Sequence, residues 1–230
     1  MNFLMSVLQD TEMPETGMQG VFEESLSLFE LIEKGGITMI ILGVLFVIAF
    51  YLLVNKLLTI RKAKKDPTKM LDKVTAYVLK GDIDTAKKYA DKEPTPMGKM
   101  IKTGLNYIGT TSKLDMIEKS IENVAKIELY KLEKNVALVG MISGAAPMIG
   151  FFGTVIGMIN AFIAISQEEG SVSPKLLSSG IYEAMITTAG GLAVGIFAYI
   201  AYNYLVRAMA DVVHKMEVVT IEFIELLQNN

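Results

Sequence analysis

The sequence predicts an all-α integral membrane protein, with three transmembrane helices and long cytoplasmic helical extensions. Three observations predict it. The chain combines 51% apolar with 20% charged residues, a mixture that implies segregation along the chain rather than one soluble domain. The segregation is visible as three tracts almost without charge, 35–55, 135–167 and 176–206. Each exceeds the roughly 18 residues that mark a spanning helix, since ~20 residues at 1.5 Å rise cover a ~30 Å hydrocarbon core. None of the three alternates with period two, and only helices or closed barrels satisfy their backbone in lipid, so the tracts read as helices.

Residues 1–34 form a segment outside the membrane, on the periplasmic side. They hold seven acidic residues against one Lys and no basic n-region, so no cleavable signal peptide is expected and the first span acts as the anchor. Phe22, Leu26, Phe29 and Ile32 stand at helical spacing and predict an amphipathic helix over 21–33. Its polar side is acidic, which favours packing on protein at least as much as on lipid. Gly35 and Gly36 turn the chain into the first span, 35–56.

The cytoplasmic domain, 57–134, follows. Lys56 to Lys134 carries 18 of the 22 Lys and Arg residues, and Arg61, Lys62, Lys64 and Lys65 directly follow the first span. Basic flanks stay inside, so the N-terminus is outside, the 167–175 loop is periplasmic and the C-terminus is cytoplasmic. Eleven acids interleave with those bases, leaving no dedicated patch for nucleic acid. The segment reads as short helices over 67–80, 82–91 and 97–108, broken at Gly81 and at Pro94 and Pro96. A longer helix, capped by Thr111 or Ser112, carries Leu114, Ile117, Ile121, Val124, Ile127 and Leu132 on one side. It is expected to run unbroken into the second span, 135–166.

Ser173 and Pro174 supply an N-cap and N1 pair for the third span, 176–206. The C-terminal helix, 207–230, continues it. Leu205, Met209, Val212, Met216, Val219, Phe223 and Leu226 form a heptad seam, suited equally to the chain's own cytoplasmic helices or to another subunit.

Glu183 is the only charged residue in 176–206. A charge at a helix centre costs roughly 2.5–3.5 kcal/mol to insert, so an intramembrane Glu marks proton or ion handling by default; a structural Glu held neutral or paired is the alternative. Counted from the outer loop, Glu183 is about 12 Å deep, and Thr154 and Thr188 share a layer about 18–20 Å deep. Thr187 lies one turn below Glu183 on nearly the same face. A carboxyl followed by hydroxyls and waters offers a polar track; back-bonding to helix carbonyls is the competing role for each threonine. Gly140, Gly144, Pro147, Gly150, Gly153 and Gly157 of the second span are assigned to helix packing, as small residues four apart allow close approach. Pro147 removes a donor and is expected to release the Ser143 carbonyl toward a cavity.

No enzyme chemistry is expected. The chain has no Cys and a single His, His214, which leaves no basis for a metal centre or a Ser/His/Asp triad. Gly190 and Gly191 are not followed by a Gly-Lys-Ser/Thr, so they form no phosphate loop and no cofactor is expected.

Two strings carry a family resemblance. Residues 146–158, APMIGFFGTVIGM, and 179–185 with 187–192, SGIYEAM and TTAGGL, resemble the second- and third-span signatures of the MotA/TolQ/ExbB proton-channel family, APxIGLxGTVxGI and GIxEALxxTAxGL. Three spans, an outside N-terminus and a large cytoplasmic loop are similar to the ExbB/TolQ branch over nearly the whole chain. Phe152 and Gly190 stand at positions that are often other apolar residues, and the acidic N-terminus is longer; none of these removes a motif residue.

The resemblance implies an inner-membrane homopentamer. Its second and third spans would surround two single-span helices of an ExbD/TolR-like partner and drive a TonB/TolA-like protein with the proton gradient. It places Glu183 as the pore glutamate, with Thr154 and Thr188 as the pore threonines. Residue counting alone prefers Thr187 for the Glu face. Two other readings stay open: a passive scaffold for a partner helix, and a stand-alone cation channel selective for H⁺ or Na⁺.

Overall fold

The computed structural model describes residues 35–65, 67–108, 114–167 and 174–228, with side chains in the last segment from 177 onward. The expected 21–33 helix, the Thr111 or Ser112 cap and Ser173 lie outside the described residues. The described chain is helical throughout: α1 Gly36–Ala63, α2 Thr68–Leu79, α3 Ile83–Asp91, α4 Pro96–Tyr107, α5 Leu114–Glu133, α6 Val136–Gln167 and α7 Pro174–Gln228. Among the described residues there is no strand. Three helical stretches, containing α1, α6 and α7, are long and apolar enough to cross a membrane.

The short helices begin where local chemistry dictates. Gly81 takes a left-handed φ of +75° between α2 and α3, a conformation glycine adopts at little cost. Asp82 caps α3 by accepting from the Thr85 amide at 3.1 Å. Thr95 caps α4, accepting from Gly98 N at 3.1 Å, with Pro96 at the first turn, where its missing donor costs nothing.

α7 is one rod of 55 residues, about 80 Å long, so the third span and the C-terminal tail form a single element. Its seam residues Leu205, Met209, Val212, Met216, Val219 and Phe223 are all buried within the chain. They pack against α1, α5, α4 and α2. At the far end, Phe223 and Ile121 close over Gly104 of α4, where an added Cβ would meet them at 2.6 and 2.9 Å. The seam therefore joins the α6–α7 hairpin to the chain's own bundle of short helices.

α1 runs parallel to α7 without slipping. Gly36 lies against Glu183 at one end, the Phe46 ring meets Phe197 in a tilted contact with centroids 4.9 Å apart midway, and Lys64 pairs with Asp211 at 2.6 Å, 147 positions on, at the other. The Gly36 and Glu183 numbers differ by the same amount.

The expected continuous helix through 114–166 is corrected by the structure. α5 ends at Glu133 and α6 begins at Val136, with Asn135 between them in the left-handed region at φ +69°, where Asn is among the few non-glycine residues tolerated. A helix end leaves carbonyls without partners. Here the buried Lys56 Nζ of α1 donates to the carbonyls of Lys131 and Leu132, at 3.2 Å each. A cation suits the negative end of α5, and the contact ties the base of α1 to the α5–α6 joint.

Glu128, 7% exposed, links α5 to α4 by accepting from Lys99 Nζ at 2.8 Å and Lys131 Nζ at 2.6 Å. Burial pushes its carboxyl up, but the two ammonium hydrogen bonds outweigh that and hold it below its ordinary value. A depressed carboxylate contributes stability above its unfolded pKa and loses it as pH falls through the folded one. Glu128→Gln is expected to cost about 1 kcal/mol at neutral pH, the lysines being half in water. The deficit should vanish below the ordinary carboxylate range, as thermal unfolding of the two proteins at pH 7 and in acid would show.

Candidate functional site

The candidate site is built on the α6–α7 hairpin, where small residues let two backbones meet. Along α6, Ala161 opposes Gly180, Gly157 opposes Ala184, Gly153 opposes Thr187 and Gly150 opposes Gly191. Lower down, Gly195 receives the Pro147 ring and Gly140 lies against the Tyr202 ring. Small residues recurring every three or four positions form one stripe on a 3.6-residue helix. In lipid this close packing drives association, because tails are as apolar as the side chains.

Two packing expectations change. Gly144 has nothing within 4 Å of where a Cβ would stand, so it takes no part in packing within the chain. At about 100° per residue it falls on the side away from the Gly150–Gly157 stripe, with the exposed Met141, Met148 and Phe151. Pro147 leaves α6 unbroken over Val136–Gln167. The carbonyl of Ser143 faces Gly195, 3.2 Å from its would-be Cβ, and so meets the helix interface rather than a cavity.

The Gly153–Thr187 contact sets Thr154 and Thr188 at one level of the antiparallel hairpin. Both are half-buried. The Thr154 hydroxyl donates to Phe151 O at 2.5 Å, and Thr188 reaches across to Gly150 O at 3.4 Å. Thr187, 2% exposed, donates to Ala184 O at 2.8 Å. Each hydroxyl proton is thus directed at a helix carbonyl, which leaves the oxygen lone pairs as acceptors.

Glu183 is half-buried, and its Oε1 stands 2.9 Å from where a Cβ of Gly36 would be. Thr187, one turn on, faces the same helix: the point a Gly153 Cβ would occupy lies 2.8 Å from Thr187 Oγ1 and 2.9 Å from the Thr38 methyl. Thr187 therefore sits where α1, α6 and α7 meet, one turn from the contact of Glu183 with α1, and Thr188 reaches α6 at Gly150 O. The amino end of α1 carries amides without intrahelical acceptors, and its dipole favours a carboxylate. Sequence reasoning missed Gly36 and Thr38 as neighbours of the glutamate. Gly35 and Gly36 signalled a corner, and no local pattern says which helix a corner lies against.

Comparisons with known proteins agree with this architecture. Over 194 residues the chain is 27% identical to a putative biopolymer transport protein ExbB homolog of Methanothermobacter thermautotrophicus, covering 84% of this chain and 68% of that one. Over 106 residues it is 34% identical to the biopolymer transport protein ExbB of Aquifex aeolicus, covering 45% and 71%. It is also 40% identical over 78 residues to the Tol-Pal system protein TolQ of Haemophilus influenzae, where the match covers 34% of each chain, about a third of that relative. Residues 92–218, more than half of the chain, with all of α6 and α7 as far as residue 218, match a family profile, and the protein belongs to the MotA/TolQ/ExbB proton channel family.

Proposed function

We propose that this chain is the proton-conducting stator subunit of an inner-membrane motor of the ExbB–ExbD–TonB or TolQ–TolR–TolA kind. It acts as a channel, not as an enzyme, and works with its N-terminus periplasmic and its C-terminus cytoplasmic. Five copies surround two single-span ExbD/TolR-like helices, and proton flow is passed as movement to a TonB/TolA-like protein that energises outer-membrane transport or envelope maintenance. The observation that carries this reading is Glu183, the one charged side chain of 176–206, set beside the threonine level of a hairpin in a proton channel family. The relatives' names, biopolymer transport protein and Tol-Pal system protein, support the coupling to an envelope machine. The exposed apolar side of α6, with Met141, Met148 and Phe151, is available to further subunits or lipid.

Glu183, Thr154, Thr187 and Thr188 are assigned to the proton path. One charge moving through 100 mV yields about 2.3 kcal/mol, so useful work needs several protons, and a ring of equivalent subunits supplies repeated steps. The contact of Glu183 with Gly36 favours a second reading, in which the glutamate only holds α1 in place and the chain is a passive scaffold. Reconstitution in liposomes with and without a single-span partner, under a proton or a sodium gradient, separates these readings. Proton uptake that needs the partner and ignores sodium is expected. Flux without the partner would make the chain a stand-alone channel, and none under either gradient would leave the scaffold.

A further inference from the structure

We infer that Gly36 is a positioning residue for Glu183, making the first turn of α1 a wall of the proton path; this rests on the reading of Glu183 as a proton-path group. Two independent features fix the residue type. Its φ of +59° is one that L side chains rarely adopt, and the space a Cβ would need is held by Glu183 Oε1 at 2.9 Å. The carboxylate thus occupies the volume that the missing side chain leaves.

The surroundings hold this contact in register. Thr38 Cγ2 stands 2.9 Å from the Cβ position of Gly153, the point that Thr187 Oγ1 reaches at 2.8 Å. Met39 Sδ stands 2.7 Å from the Cβ position of Gly190. Gly36 to Met39 is therefore seated in a notch of α6 and α7 made of small side chains, with Glu183 at its edge. At the far end the half-exposed Lys64–Asp211 pair marks the same register of α1 along α7. The atom in the way is the end of the Glu183 side chain and not backbone, so a methyl group at 36 leaves the helices in place and swings the carboxylate away from α1.

The test uses the full chain in its reconstituted complex. Gly36→Ala is expected to lower proton flux at least about tenfold, as an ångström of misplacement commonly does. Glu183→Asp withdraws the carboxylate by about 1.5 Å and relieves the contact without relieving φ. The double variant G36A/E183D should therefore recover flux above either single variant. Because the chain has no Cys, the pair T38C/T187C reports the seating of α1 directly, and it should cross-link in membranes when Gly36 is intact.

Wild-type flux in G36A would overturn the inference, as would an assembled but inactive G36A that E183D does not rescue. So would the absence of a T38C/T187C cross-link. Should G36A fail to assemble, restored assembly in the double variant supports the contact, and continued failure contradicts it. A wild-type complex that carries no protons would sink the functional reading instead, while the cross-link and the assembly rescue would still report on Gly36.

Discussion

Gly191→Ala and Gly150→Ala are each expected to break the α6–α7 hairpin. A Cβ on Gly191 would stand 2.7 Å from the Ala146 carbonyl oxygen and 2.8 Å from Gly150 Cα. One on Gly150 would stand 2.7 Å from the Thr187 carbonyl oxygen and 2.9 Å from Gly191 Cα. These are backbone atoms, so no side-chain rotation relieves them and the helices must part. Overpacking costs roughly 1–3 kcal/mol even in adaptable cores. Here it also forfeits packing along neighbouring pairs, in a setting where packing drives association. Gly144→Ala, with open space within the chain, is the control. Thermal unfolding in detergent should show both hairpin variants strongly destabilised and the Gly144→Ala hairpin near wild type.

Glu183→Gln is expected to abolish proton-driven work while leaving assembly intact. Glutamine preserves the shape and hydrogen-bonding capacity of the side chain, so the volume against Gly36 stays filled. Removing a charge from the membrane also spares an insertion cost of roughly 2.5–3.5 kcal/mol, so the variant should be no less stable than wild type. Only the ability to take up and give back a proton is lost. Proton transfer by a positioned group is commonly worth about 10²–10⁴-fold, so coupling to the partner protein should fall by at least about two orders of magnitude. A wild-type rate in this variant would leave Glu183 as a structural anchor for α1.

The spans were legible because lipid imposes a coarse rule: the tracts 35–55, 135–167 and 176–206, without charge except for Glu183, coincide with the apolar parts of α1, α6 and α7. The short helices α2 to α4 were legible because Gly81, Asp82 and Pro96 act locally. Asn135 was not legible. Neither Gly nor Pro occurs in 132–138, and the cation that receives the freed carbonyls comes from Lys56, 75 and 76 positions away. Periodicity likewise identified the Leu205–Phe223 face, but only the tertiary structure shows that the chain's own helices cover it.

The candidate site divides the same way. Counting along α6 and α7 was enough to put Thr154 and Thr188 at one level and Thr187 one turn from Glu183. The hairpin contacts, Gly153 on Thr187 and Gly157 on Ala184, give that register its structural form. The placing of the Glu183 carboxylate on Gly36 depends on how α1 docks, which helical periodicity in α7 does not encode. Gly144 shows the limit of a spacing argument: its four-residue relation to Gly140 holds, yet only Gly140 meets a side chain of α7.

The most direct measurement is proton flux, followed with a pH-sensitive dye, into liposomes holding the complete complex with either wild-type chain or Glu183→Gln at equal assembled protein. The wild-type complex should carry protons down the gradient and the variant should carry none above empty liposomes. Equal flux from the two would contradict the assignment of Glu183 to the proton path.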